Sequence, residues 1–160
     1  MSENDLKFEN FLKDIHPVYH EFVTQTDAFL AGNGCKIKLD MAKNGYLVSY
    51  SHAKSKHVIL NFVFRKGGLV IRVYGNNVNK YAEILADMPE GMITAIRKAP
   101  ACKRLADPNA CSSRCSKGYE FGIKDESFQK CRYNCFMFEI NDENIPFIKT
   151  FIENEVGSRG

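Results

Sequence analysis

The residues with most chemical potential are six cysteines, five of them between positions 102 and 135. Cys111-Ser-Ser-Arg-Cys115 and Cys131-Arg-Tyr-Asn-Cys135 form two C-x3-C pairs separated by fifteen residues, with Cys102 nearby and Cys35 distant. Two pairs of soft sulfur ligands are the raw material of a structural zinc site, in which four thiolates converge at tetrahedral geometry. Cys111, Cys115, Cys131 and Cys135 are the candidate ligands, and zinc the candidate cofactor. The spacing resists this reading. C-x2-C turns carry the stronger zinc signal. In a straight strand Cys131 and Cys135 would stand roughly 13 Å apart, whereas two sulfurs on one zinc lie only about 4 Å apart. A bulge or loop at Arg132–Asn134 is therefore a condition of their sharing an ion. Two other readings stand beside zinc. The cysteines are small buried hydrophobes, or they are redox or catalytic thiols activated by Arg114, Lys117 or Arg132.

Tyrosines and arginines on predicted strands supply a second set of candidates. Tyr46, Tyr50, Tyr74 and Tyr133 combine an apolar ring with a hydroxyl suited to the edge of a wet pocket. Arg65 and Arg72 lie on adjacent strands across a tight turn and could bind an anionic group from one sheet face. These six residues are the candidate ligand site; core packing and solvated strand charges are the plainer explanations. His16 and His20 are spaced i,i+4, but no H-E-x-x-H accompanies them. His52 and His57 flank a turn, where either could meet a cysteine only through the fold. No G-x-G-x-x-G, phosphate-binding loop or G-x-S-x-G occurs in the chain.

The elements that must position these groups follow from periodicity. Phe8, Phe11, Leu12, Ile15, Tyr19 and Phe22 form an apolar helical stripe. Pro17 interrupts it, predicting helices over 5–15 and 17–30. Residues 35–75 alternate with period two and contain Asn44-Gly45 and Lys66-Gly67-Gly68 as turns, predicting a four-stranded antiparallel meander. A helix is predicted over 78–87, and another follows Pro89, which suits a first turn. Residues 100–118 read as irregular. Tyr119–Ile123 and Phe128–Ile140 read as a hairpin around Lys124–Ser127. A last helix is predicted over 143–155, with 156–160 a frayed tail. Strand runs without β-α-β alternation indicate the α+β class. The expectation is one domain over 1–160, with about six mostly antiparallel strands flanked by N-terminal, central and C-terminal helices.

Composition bounds the rest. At 160 residues, 44% hydrophobic and 26% charged, the chain can bury its own core. No apolar run is long enough to span a bilayer. The acidic segment Met1–Asp14 does not read as a secretory signal, so a cytoplasmic location with reduced thiols is expected. The net charge is only +3, yet residues 97–132 carry nine bases against four acids. Such a basic region can attract anions, although charge runs mostly serve solubility. Together these features predict a non-catalytic binding or regulatory module. Its small-molecule or partner site would lie on the sheet face, and its cysteine cluster would hold zinc or sense redox state. A small thiol-dependent enzyme is the alternative, and a basic nucleic-acid adaptor the third reading.

Overall fold

The computed structural model describes residues 2–107, 109–111 and 117–158. Ser2 opens the chain by capping helix α1 (Glu3–Lys13): its hydroxyl accepts from the Asp5 N–H while the Asp5 carboxylate accepts from the Ser2 N–H. Pro17 then forces His16 into an extended conformation and starts a single 3-10 turn, Pro17–Tyr19, before helix α2 (His20–Gly32). The predicted break at Pro17 is therefore present.

Four strands follow as predicted: β1 (Cys35–Ala42), β2 (Gly45–His52), β3 (Val58–Arg65) and β4 (Gly68–Val73). The β1–β2 and β3–β4 connections are two residues long, Lys43-Asn44 and Lys66-Gly67, because Ala42 pairs with Gly45 and Arg65 with Gly68. Strand β7 (Met137–Glu139) pairs antiparallel with β4, so the sheet order is β1-β2-β3-β4-β7. The fold is α+β with a mostly antiparallel sheet, as expected. The strand count differs slightly: β5 (Tyr119–Ile123) and β6 (Glu126–Lys130) form a separate two-stranded sheet.

Alternation sorts the two faces of the large sheet. Leu39, Val48, Phe62, Ile71 and Phe138 form one cross-strand row, all buried. Phe11 from α1 and Phe22 from α2 place their rings 5.9 and 6.4 Å from Phe62 on this face. On the opposite face Lys38, Ser49, Asn61, Arg72 and Met137 form the matching row, and of these only Asn61 is buried. A bulge interrupts the alternation. Tyr50 pairs with Leu60 but Ser51 pairs with Val58, so Ile59 is the extra residue and is fully buried. Val58, paired with Ser51, consequently lies on the opposite face from Leu60, although strict alternation would put the two on one face.

Two predicted elements are corrected. The helix expected over 78–87 is a pair of 3-10 segments, Val78–Lys80 and Ala82–Asp87. Pro89 holds Met88 extended (ψ 135°), which stops the second segment before an α-helix develops. Helix α3 (Glu90–Lys98) follows, then the short α4 (Lys103–Ala106). The strand expected over Phe128–Ile140 is not continuous; it breaks between β6 and β7. Helix α5 (Ile145–Gly157) extends into the segment expected to fray.

The β5–β6 hairpin is tied to the body at both ends. Lys130 Nζ donates to the Arg97 and Ala99 carbonyls, 2.9 and 2.8 Å, satisfying the C-terminal end of α3. Arg97 pairs with Glu126 at 3.0 Å. Beside Lys130, at the open end of the hairpin, residues 100–102 run antiparallel to 129–131 through Cys102 N–H to the Gln129 carbonyl and Cys131 N–H to the Pro100 carbonyl. Gly118 lies against this crossing. A Cβ there would stand 2.1 Å from the Lys130 carbonyl oxygen, whereas a Cβ at Gly122 in the same hairpin would meet nothing closer than 3.5 Å. A backbone carbonyl cannot yield as a side chain can. Gly118→Ala is expected to cost at least about 2 kcal/mol, the scale of core overpacking. Gly122→Ala should cost well under half of that, and urea midpoints of the two variants measure the difference.

Candidate functional site

The break between β6 and β7 builds the site. After Lys130 the chain closes a helical turn, in which the Cys131 carbonyl accepts from the Asn134 and Cys135 N–H groups at 3.2 and 2.9 Å. Cys135 and Phe136 then enter the core, both with no exposed surface. Arg132 is left half-buried and Tyr133 exposed.

Arg132 stands between two aromatic rings. Its guanidinium carbon is 5.5 Å from the Tyr74 ring centroid and 5.7 Å from that of Tyr119, within cation–π range. Nη2 donates to Asn76 Oδ1 at 2.9 Å and Nη1 to the Lys117 carbonyl at 3.3 Å. Tyr133 meets Tyr74 edge to face, with centroids 6.1 Å apart. Behind them, Arg72 Nε donates to the Tyr133 carbonyl at 2.7 Å and its Nη1 to Asn61 Oδ1 at 3.0 Å. Asn61 Nδ2 in turn donates to Ser49 Oγ at 2.8 Å, extending the network across three strands. The Arg132–Tyr133 segment is thereby fixed to the open face of the sheet.

Between these groups lies a cleft of about 580 Å³. Tyr74, Arg132 and Tyr133 form one part of its wall, and His57, Val58, Asn76 and Asn77 the rest. Under its floor Glu155 of α5 is fully buried. Its carboxyl accepts from the Asn77 N–H (3.0 Å), Asn77 Nδ2 (2.9 Å) and the Tyr81 hydroxyl (2.5 Å). Such donors are what a buried carboxyl requires. The Tyr119 hydroxyl is also buried and has no hydrogen-bond partner among the described residues. Burial raises the Tyr74 phenol's pKa, against the lowering influence of neighbouring Arg72. Burial likewise raises that of Tyr119, with Arg132 opposing it.

The structure brings together only some of the sequence candidates. Tyr74 and Tyr133 meet in the cleft, and Arg72 supports them from behind. Tyr50 lies on the helix-bearing face, where its hydroxyl donates to Asp27 Oδ1 of α2 at 2.7 Å, and Tyr46 packs against the same core. Arg65 shares the open face with Arg72 but sits at the far end of β3, opposite Gly68. Arg132 was considered from sequence only as a neighbour that could activate a thiol, and Asn76, Asn77 and Glu155 were not predicted as site residues. His16 and His20 each turn one ring nitrogen to the backbone: His16 Nδ1 caps the Val18 N–H, while His20 Nε2 meets the Ile15 carbonyl.

Cys115 and Arg114 lie outside the described residues. Of the other zinc candidates, Cys111 is exposed, Cys131 half-buried and Cys135 fully buried, and each carries a free thiol. Among the described residues no three His, Cys, Asp or Glu side chains group closely enough to hold a metal ion. Cys102 Sγ accepts from the Gly118 N–H at 3.2 Å, a structural role at the crossing. Burial pushes the Cys135 thiol well above its ordinary pKa, with Lys130 opposing.

No family model, no curated protein and no solved structure matches this chain.

Two measurements check these environments. Tyr50, Tyr74 and Tyr119 hold their protons more tightly in the folded state than in the unfolded chain. Their stabilising contribution is complete below the unfolded phenol pKa of about 10 and is lost as pH rises above it. Phenolate absorbance should therefore show at least these three of the seven tyrosines ionising late, alongside unfolding. All seven titrating freely near pH ~10 would contradict the burial. Native alkylation with mass spectrometric readout should label Cys111 and leave Cys135 unlabelled until the chain is denatured.

Proposed function

We propose that this chain is a non-catalytic binding module that seats a small organic anion in the cleft of the open sheet face. The observation that carries this reading is Arg132. Its side chain is oriented by two tyrosine rings and by Asn76, yet only two of its five N–H donors have partners among the described residues. A guanidinium held in place but incompletely satisfied is suited to a carboxylate or phosphate, which it can engage with two parallel hydrogen bonds. His57 adds a ring nitrogen to the wall of the same cleft, and the buried carboxyl of Glu155 is already occupied by Asn77 and Tyr81. The volume falls in the range typical of small-molecule sites.

A thiol-dependent enzyme is less well supported. The thiolate is the nucleophile, and Cys135, two residues after Tyr133, is buried with its thiol biased toward the protonated form. No helix of the described residues is long and apolar enough to cross a membrane, and nothing in the cleft suggests a lipid partner.

Isothermal titration calorimetry against a panel of small mono- and dianions tests the reading. At least one anion should bind with a Kd in the micromolar range. Arg132→Ala should weaken it at least ~10-fold, because a charge-assisted bidentate contact is lost. Arg132→Lys should restore less than half of that loss in free energy, since an ammonium provides neither the planar fork nor the stacking. Equal binding by wild type and Arg132→Ala would sink the assignment.

A further inference from the structure

Asn76 and Asn77 both line the cleft, and charged neighbours fix which hydrogen-bonding atom of each amide is committed and which is left over. Asn77 Nδ2 donates to Glu155 Oε2, so its Oδ1 is the atom left over. Asn76 Oδ1 accepts from Arg132 Nη2, so its Nδ2 is left over. Flipping either amide would set oxygen against carboxylate or NH2 against guanidinium, and both contacts are repulsive. Neither the Asn77 Oδ1 nor the Asn76 Nδ2 has a partner among the described residues, although both residues line the cleft. Consecutive residues thus offer one acceptor and one donor of fixed orientation. Beside them the Tyr133 ring is 44% exposed and touches Tyr74 edge to face, leaving aromatic surface for a flat group.

Resting on the reading of the cleft as an organic-anion site, we infer that its ligand is a nucleoside monophosphate. The base would stack on Tyr133 and pair its polar edge with Asn76 and Asn77, and the phosphate would meet Arg132. A nucleobase is a planar group whose rim carries donors and acceptors side by side, which is what a fixed donor–acceptor pair beside an aromatic surface reads. A simple carboxylate would use Arg132 alone and leave the two amide atoms to water. A sugar phosphate could reach the amides through its hydroxyls, but it has no flat ring to stack on Tyr133. The cleft is one continuous space of about 580 Å³, so the three features are available to a single ligand.

The test compares, by calorimetry on the full chain, the four common ribonucleoside monophosphates, ribose 5-phosphate, benzoate and a short single-stranded oligonucleotide. At least one nucleotide should bind ~10-fold or more tightly than ribose 5-phosphate, the scale of one base–aromatic stack. The four bases should differ among themselves. Tyr133→Ala, at an exposed position that should leave the fold intact, should bring the ratio of nucleotide to ribose 5-phosphate affinity close to one. Nucleotides no tighter than ribose 5-phosphate or benzoate would overturn the nucleotide assignment while leaving the anion site standing. Binding of none of these anions would overturn both. An oligonucleotide that binds far more tightly than any monophosphate, with a steep salt dependence, would overturn the free nucleotide in favour of a nucleic-acid strand.

Discussion

Phe136 is the constraint on which the other arrangements depend. Its ring lies 4.9 Å from Phe151 of α5, 5.1 Å from Tyr119 and 5.2 Å from Phe121 of the hairpin. Its carbonyl accepts from the Val73 N–H at the end of β4. One residue therefore joins the large sheet, the small sheet and the C-terminal helix. Tight packing enforces its position: Gly75 lies so close that a Cβ there would stand 2.9 Å from the Phe136 ring and 3.3 Å from Phe151. To bring Phe136 to this point the chain must leave β6, turn, and re-enter the sheet as β7. The turn that results holds Cys135 inside and Arg132 and Tyr133 outside. The cleft is thus a consequence of how the core is closed.

Much of this architecture was legible because burial imposes simple periods. The meander could be read from alternation in 35–75, and its two tight connections from glycine-bearing turns. The break at Pro17 followed from a missing N–H and a restricted neighbour. The interruption at Cys131–Cys135 was raised only as a condition of a zinc site while the predicted strand ran through it, and the reason is physical. Phe128, Phe136, Phe138 and Ile140 are all buried even-numbered positions, so the period of two persists across the turn and conceals it. A signal was present nonetheless. Lys130, Arg132 and Asn134 are three consecutive polar residues in the register that a continuous strand would bury. The 3-10 segments of 78–87 were less accessible, because their apolar positions fit a helix and only the closeness of Pro89 limits it.

The site residues divide in the same way. Tyr74 and Tyr133 could be nominated from residue type and predicted strand position, but Tyr50 could not be separated from them without knowing that α2 supplies Asp27 to its hydroxyl. Arg72 was recognisable as a charge on a strand, yet its partners, the Tyr133 carbonyl and Asn61, come from sixty-one and eleven residues away. Glu155 carried a clearer mark. It continues the stripe Ile148, Phe151, Ile152 at helical spacing, and all four are buried. A carboxyl on the apolar face of a helix must find donors or be very costly. Its donors prove to be Asn77 and Tyr81, which no local pattern connects to it.

Two polar networks therefore flank the cleft, and they constrain it differently. On one side Ser49, Asn61 and Arg72 fix the backbone at Tyr133 to the sheet. On the other, Glu155 fixes the amide of Asn77, while Arg132 fixes that of Asn76. In each case a group that could rotate in water is committed to one orientation before any ligand arrives. Asn76 is held at the surface by Arg132, whereas for Asn77, bonded to the buried Glu155, the conformational cost of orientation has been met during folding. It is not charged to binding, where each immobilised side chain otherwise weakens affinity. The consequence is a division of roles. In the proposed anion site Arg132 would provide attraction that many anions could share, and the two amides would provide a choice among them, because a ligand that fails to match leaves polar atoms poorly paired. Selectivity in the proposed site would then rest less on the shape of the cleft than on a carboxyl that does not line it at all.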